Sequence, residues 1–282
     1  MDLVIYLPAV AGGADLLTLL QFPFMQRAIL GGVLMGLLGG LLGTFVTLRQ
    51  LSFFSHTVGH AALAGVALGV LLGVNPTWTL LPFTLVFGLT ALYLLERSDL
   101  ASDSIFSIAV SAALAIGVIL TSFIPGYQGN LMGVLFGDIL AINWSDLILI
   151  LLLLAVSAVF LLSTLRQQIL LTLNPAVAKV QGIPVRLHQY VFVVLLSLAV
   201  AAAIKAVGIL LVNAFLVIPA ASAKLLCHRF AGFLAISVML GALSSIAGML
   251  VSGLFNLASG PSIVVVQFLL FLAILGGTKL RV

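Results

Sequence analysis

Long apolar stretches follow one another along almost the whole chain, and they limit its fold more than any other feature. Each is close to the roughly 20 residues that a helix needs to cross the hydrocarbon core of a membrane. They are too long and too uniform for outer-membrane barrel strands, which read as roughly 10-residue alternations of apolar and polar residues. The sequence therefore predicts transmembrane helices over residues 25–46, 58–72, 78–95, 105–123, 147–165, 232–254 and 263–276.

A further apolar segment, residues 190–226, has two interpretations. It is long enough for two short helices broken near Lys205 to Gly208, or for one span followed by a shorter half-helix. We favour two short helices. The chain then crosses the membrane about eight or nine times.

Composition supports an integral membrane protein with little room for a soluble domain. Of 282 residues, 63% are hydrophobic and 6% are charged, whereas about a quarter of a soluble domain is charged. We predict an all-α, polytopic transmembrane helix bundle that forms a single domain over residues 1–282. The first twenty residues lack a basic start and include Asp2, Pro8 and Asp15, so we expect no cleavable signal and an N-terminus lying along the membrane interface.

The positive charge of the chain marks topology rather than a nucleic-acid partner. The net charge is +4, and the 11 basic residues are scattered at the ends of the predicted spans. By the positive-inside rule, the side with most of them is cytoplasmic. That side carries Arg49, Arg97, Arg166, Lys179, Arg186, Lys224, Arg229, Lys279 and Arg281, whereas Arg27 falls on the other side.

Residues 166–189 form the largest polar interruption and are cytoplasmic by the same rule. Asn174 followed by Pro175 has the form of an N-cap with proline at the first helical position, and Gly182 lies where such a helix would stop. The segment therefore predicts a short helix projecting into the cytoplasm. The alternative is a solvated connecting loop.

Motifs of catalysis and nucleotide binding are absent from the sequence. It contains no GxxxxGK[ST], no Gly-x-Ser-x-Gly and no His-Glu-x-x-His, so the chain has no phosphate-binding loop and no recognisable catalytic centre. The single cysteine, Cys227, excludes a disulfide framework or a cysteine metal cluster within one chain. We expect a protein that is not an enzyme.

His56 and His60 stand four residues apart near the start of the second span. On a helix their side chains lie roughly 40° apart, close enough for two ring nitrogens to bind one divalent cation. Ionisable side chains at membrane depth are costly and tend to face pathways, which favours a ligand role over satisfied partners within the bundle. Asp103 is a candidate further ligand; alternatively, Asp99 and Asp103 are solvated or helix-capping carboxylates beside Arg97.

Three other charged residues have structural interpretations. Lys205 lies among apolar residues, where its ammonium needs water or an acid. A break at Gly208 would let it reach the outer surface, which we favour over a role in repelling or gating cations. Asp138 and Asp146 are expected to mark an external loop.

Glycines recur at four-residue spacing in the first two spans, where small residues let helices approach closely. They indicate helix association, within the bundle or between copies of the chain. The residues are Gly32, Gly36 and Gly40, with Gly39 and Gly43 beside them, and Gly65, Gly69 and Gly73.

Most of the chain resembles the permeases of ATP-binding-cassette (ABC) importers for zinc, manganese and sometimes iron, the metal-ion ABC-3 permeases. The most specific of the matching stretches is AKVQGIPV at 178–185, continuing through VGILLV at 207–212 to PAASA at 219–223. The others are FMQRA at 24–28, TLRQLSFF at 47–54, GVALG at 65–69, LFGDIL at 135–140 and SGPSIVV at 259–265.

The resemblance implies a multi-pass protein of the bacterial plasma (inner) membrane. It further implies a homodimer with a central translocation path, two cytoplasmic ATPase subunits, and an external metal-binding protein that delivers the ion. The helix near Asn174 to Gly182 would be the coupling element that docks into an ATPase groove, with Asn174, Pro175, Ala178, Gln181 and Gly182 as its residues. The metal would be cargo, with no permanently bound cofactor.

The sequence departs from the family at one position. Members typically place an aspartate four residues before the histidine that corresponds to His60, and here that residue is His56. Imidazole in place of carboxylate favours zinc, with manganese or iron as alternatives. Two histidines per chain, related by a two-fold axis, could form a transient four-nitrogen site. The competing functions are an ATP-independent metal carrier or channel and a permease for metal chelates or vitamins.

Overall fold

The computed structural model describes residues 21–98, 100–124, 137, 139–209 and 211–279. Within these residues the regular structure is entirely helical, and a single 3₁₀ turn, Ile139–Ala141, accompanies eleven α-helices. They are α1 (Pro23–Leu48), α2 (Ser52–Leu71), α3 (Pro76–Arg97), α4 (Ser102–Ser122), α5 (Trp144–Ser163), α6 (Leu165–Leu173), α7 (Pro175–Val180), α8 (Val185–Val207), α9 (Val212–Leu226), α10 (Phe230–Phe255) and α11 (Ser259–Lys279).

Eight of the described helices, α1 to α5, α8, α10 and α11, are long and apolar enough to cross a membrane. This confirms the predicted polytopic bundle. The largest boundary difference is in α2, which begins at Ser52 rather than at residue 58. The first turns of α2 carry Ser55, His56, Thr57 and His60, and these polar residues lower the local hydropathy without interrupting the helix.

The predicted break near Lys205 to Gly208 is present. Gly208 has a φ of +83° and follows the last residue of α8, a backbone conformation that glycine adopts without steric cost. The expectation of two short helices was wrong, because α8 begins at Val185 and reaches full spanning length. Of the two helices in this segment, only α9 is short: its 15 residues extend roughly 22 Å, less than the thickness of the hydrocarbon core.

Helix α1 is packed between α9 and α10 through its glycines. Gly36 lies so close to Gly241 of α10 that a Cβ on either residue would overlap the other's carbonyl oxygen. Gly40 meets Ser237 of α10, whose Oγ donates a hydrogen bond of 2.8 Å to the Gly40 carbonyl. Gly43 approaches the carbonyl of Leu216 on α9 in the same way. These glycines therefore associate helices within one chain.

The glycines of α2 divide into two kinds. Gly65 and Gly69 contact Phe83 and Thr79 of α3, as close packing requires. Gly73 does not pack: it follows α2 with a φ of +66° and has no heavy atom within 4 Å of a built Cβ. Its role is to turn the chain after the helix.

Lys205, near the end of α8, has an acid as its partner. Its Nζ lies 2.7 Å from Oδ2 and 2.8 Å from Oδ1 of Asp146. The two side chains are 38% and 15% exposed, so Lys205 has the acid that its apolar surroundings require, and its reach to the outer surface stays a prediction. Asp146 is in the first turn of α5 rather than in a loop, and its carboxylate also accepts a hydrogen bond of 3.0 Å from the backbone N–H of Asn143. The predictions for residues 1–20, Asp99 and Asp138 lie outside the described residues.

The polar segment 166–189 is helical rather than a connecting loop. Helices α6 and α7 are separated only by Asn174, whose Oδ1 accepts hydrogen bonds from the backbone N–H groups of Ala176 (3.1 Å) and Val177 (3.2 Å). Pro175 occupies the first helical position. Gly182 follows with a φ of +78°, so the start and stop signals read from the sequence are confirmed.

Candidate metal site

A tight turn sets the start of the histidine-bearing helix. The backbone N–H of Leu51 donates to the carbonyl of Val46 over 2.9 Å, and Gln50 has a φ of +57°. The chain thereby reverses between α1 and α2 within three residues. This turn lies at the end of the bundle that the positive-inside rule predicts to be cytoplasmic, so the first turns of α2 lie nearer that end than the opposite one.

His56 and His60 are brought together as predicted. Their ring centroids lie 4.3 Å apart with the planes at 70°, and both side chains are half-buried. The ring of Phe53 packs 5.6 Å from that of His56. Because each neutral imidazole offers one nitrogen lone pair, the pair can supply two ligands to one cation.

The neighbours of the pair show which way it faces. On one side of α2, Ser55 donates a hydrogen bond of 2.8 Å to Asn213 at the start of α9, and a Cβ on Gly59 would lie 3.1 Å from Val212. On the other side, Thr57 lies 3.4 Å from the carbonyl oxygen of Phe106 in α4. The two imidazoles therefore occupy the sector of α2 between α9 and α4.

The described part of the chain does not complete a metal site by itself. It contains no group of three or more His, Cys, Asp or Glu side chains arranged to hold a metal ion. A mononuclear site normally needs more than two ligands, so further ligands must join the pair, and water and another chain are two sources of them. The half-exposed position of the pair leaves it accessible to both.

The structure does not bring Asp103 to the histidines. It is exposed in the first turn of α4 and lines a different cavity of about 490 Å³, together with Arg49, Leu171, Thr172 and Gln189 among others. This cavity lies beside α6. The ligand role of Asp103 stays a prediction.

Sequence reasoning assigned Arg49 to topology and missed its contacts. In the structure it donates hydrogen bonds to Gln168 and Thr172 of α6. The signal was a polar stripe at four-residue spacing on one face of α6, formed by Thr164, Gln168 and Thr172. A buried glutamine on such a stripe requires a partner.

The helix predicted to couple to an ATPase exposes apolar side chains. Val177 and Val180 on α7 are 42% and 89% exposed, whereas Ala178 is fully buried against the bundle and Gln181 caps the helix end. Exposed valines on a short helix outside the candidate membrane spans form a surface suited to another protein.

Comparison with known proteins places this geometry among transporters. The sequence profile of the ABC 3 transport family matches residues 21–277. The high-affinity zinc uptake system membrane protein ZnuB of Haemophilus influenzae is 32% identical over 89% of this chain and 96% of its own length. The manganese transport system membrane protein MntC of Listeria innocua is also 32% identical, over 90% of each chain.

A solved structure is similar as well. A chain of PsaBC from Streptococcus pneumoniae, determined in complex with Fab, superposes with a TM-score of 0.81 at 30% identity. The superposition covers 93% of this chain and 94% of that one. The likeness therefore extends over the whole bundle rather than over one helical motif.

Proposed function

Because this chain belongs to the ABC 3 transport family, we propose that it is the permease subunit of an importer that carries zinc, in preference to manganese or iron, across the bacterial plasma membrane into the cytoplasm. The observation that carries this proposal is the pair of imidazoles, 4.3 Å apart between ring centroids, on a helix that crosses the membrane.

The donor atoms favour zinc. Imidazole nitrogen suits zinc, copper, iron and nickel, whereas manganese prefers carboxylate and carbonyl oxygen. The relatives named above include a zinc uptake protein and a manganese transport protein, so the choice of cargo depends on the site rather than on the fold. With His56 beside His60, this chain presents two nitrogen donors.

A second copy of the chain would complete the site. The histidines face the sector between α4 and α9, where a two-fold related chain could present the same pair. Four nitrogens would then meet the tetrahedral preference of zinc, and because half of them come from the partner, movement between the two copies would weaken binding. A transported ion must be released, so the site holds its metal only in transit, and the subunit has no permanently bound cofactor.

Energy would come from cytoplasmic ATPase subunits that dock on α7. The chain has no nucleotide-binding loop, and the exposed Val177 and Val180 offer an apolar surface for a groove on the ATPase. Ala178, Asn174 and Pro175 would hold this helix in shape, while Gln181 and Gly182 end it. An external metal-binding protein would deliver the ion to the opposite face.

Reconstitution in liposomes tests the proposal. Uptake of Zn²⁺, Mn²⁺ and Fe²⁺ is measured with and without the ATPase subunits, the external binding protein and ATP. We expect zinc uptake that requires the partners and ATP. His60→Ala should abolish this uptake, and His56→Asp should raise the rate of manganese uptake relative to that of zinc. His228→Ala is the matched control, since this exposed histidine lies in the turn after α9, away from the pair.

Two results would contradict the proposal. Normal uptake by an assembled His60→Ala complex would remove the pair from the pathway. Uptake by the permease alone, without ATPase subunits, would instead indicate an ATP-independent carrier or channel.

A further inference from the structure

Arg49 is a cationic side chain in the turn that precedes α2. Its guanidinium carbon lies 4.5 Å from the ring centroid of Phe192 in α8 and 5.6 Å from that of Phe45 in α1. Burial lowers its pKa to about 10, so it stays positively charged at neutral pH. In the part of the chain that the structure describes, the ion pair is that of Lys205 with Asp146, and Arg49 has no carboxylate partner there.

Neutral hydrogen bonds take the place of a carboxylate. Arg49 donates through one terminal nitrogen to Oε1 of Gln168 and through Nε to Oγ1 of Thr172, the latter over 3.2 Å. Both acceptors are on α6. The planar guanidinium therefore makes two hydrogen bonds of fixed geometry to one face of this helix.

The contact continues from α6 into α8. Gln168 is fully buried; its Nε2 donates to Oγ1 of Thr164 and lies 3.1 Å from Nδ1 of His188 at the start of α8. Thr172 in turn donates to the carbonyl of Gln168 over 2.7 Å. Separating Arg49 from this network would leave buried polar groups without partners, which is costly.

The position of the network along the chain gives it a mechanical consequence. Helix α6 leads into α7 through Asn174 alone, and Arg49 lies three residues before the start of α2 at Ser52. A displacement of α6 and α7 is therefore transmitted to the turn before the histidine-bearing helix for as long as the Arg49 contact holds.

We propose that Arg49 is a positioning residue that ties α6 and α7 to the start of α2, so that movement of the cytoplasmic segment moves the histidine pair. The inference rests on the proposed function, because the cytoplasmic segment moves only if an ATPase docks on it. The linkage needs the fork of Arg49, the two N–H donors that the planar guanidinium directs at Gln168 and Thr172. A positive charge without these two donors does not provide the linkage.

Three variants distinguish the loss of the Arg49 contact from the loss of a positive charge and from a loss of stability. Arg49→Lys keeps the charge but loses the fork, and Thr172→Val removes one acceptor with little change in volume. Arg166→Gln is the matched control, since it removes a charge from an exposed position of the same helix. Each variant is purified in complex with the ATPase, and only assembled complexes are compared.

The first readout is the amount of metal moved per ATP hydrolysed. We expect Arg49→Lys to hydrolyse ATP and to bind metal as the parent does, but to move about tenfold less metal per ATP, with Thr172→Val intermediate. Arg166→Gln should match the parent. An unchanged ratio in Arg49→Lys, or an equal fall in Arg166→Gln, would overturn the inference.

The second readout does not depend on metal transport. Hydrogen exchange is followed in α7 and in the turn with the first turns of α2, before and after the ATPase binds. We expect binding to protect α7 in every variant and to change exchange in residues 49–60 only where the Arg49 fork is intact. If this holds while the parent transports no metal, the proposed function fails and the linkage stands; if Arg49→Lys transmits the change normally, the linkage fails.

Discussion

The close crossing of α1 and α10 gives a prediction whose size follows from the structure. A Cβ added at Gly36 would overlap the carbonyl oxygen of Gly241 and lie 2.5 Å from its carbonyl carbon. Non-bonded carbon atoms prefer separations of roughly 3.5–4.0 Å, so Gly36→Ala forces α1 and α10 apart by about 1 Å. The obstacle is backbone, so no side-chain rotation relieves it.

The change in free energy has two unfavourable contributions and one favourable contribution. Overpacking of this kind typically destabilises by about 1–3 kcal/mol. The same displacement stretches the 2.8 Å hydrogen bond from Ser237 to the Gly40 carbonyl beyond bonding distance, which removes about 0.6 kcal/mol more. Alanine regains up to about 1 kcal/mol in helix propensity. We therefore expect Gly36→Ala to lower the free energy of unfolding by about 1–3 kcal/mol.

Thermal unfolding in detergent, followed by circular dichroism, measures this loss. For a chain of this size the midpoint should fall by roughly 3–10 °C. Gly277→Ala in α11 is the control, because a Cβ there meets no heavy atom within 4 Å, and its midpoint should not fall. Equal midpoints for the two variants would refute the tight crossing of α1 and α10.

Two further predictions concern single interactions. Asp146→Asn leaves the Lys205 ammonium without its acid and should destabilise the bundle by about 1–3 kcal/mol, less than for a fully buried pair because Lys205 is 38% exposed. The double variant with Lys205→Met should recover most of this loss, and equal unfolding midpoints for single and double variants would show that the charges do not interact. Asn174→Ala removes the cap of α7 at a cost of about 1 kcal/mol, so it should weaken ATPase binding about fivefold in a titration, whereas Asn174→Asp keeps the cap. Equal affinities for the two variants would count against a folded α7 as the docking element.

The spans were predictable because each depends on local hydropathy. The pairing of His56 and His60 was also predictable from local sequence, because helical periodicity alone places the two side chains on one face. The start of α2 was placed too late, because a hydropathy window cannot distinguish a polar turn inside a helix from a polar connection outside it.

The contacts of Arg49 and the position of Asp103 were not predictable. Arg49 and Gln168 are 119 residues apart in the chain, so only the assembled bundle brings them together. Asp103 precedes the contact of α4 with α2 by one helical turn, which carries its carboxylate away from the histidines into the cavity beside α6. The polar stripe on α6 indicates that Gln168 needs a partner, but only long-range packing decides that this partner is Arg49 and where Asp103 lies.

The pairing of Lys205 with Asp146 has an electrostatic consequence for its end of the bundle. A lone ammonium would repel a dication over a distance of the order of the Debye length, but an ammonium held 2.7 Å from a carboxylate oxygen presents only a dipole, whose field decays much faster with distance. A dication near this end of the bundle therefore meets no net charge from these two residues, and the ion pair joins α5 to α8.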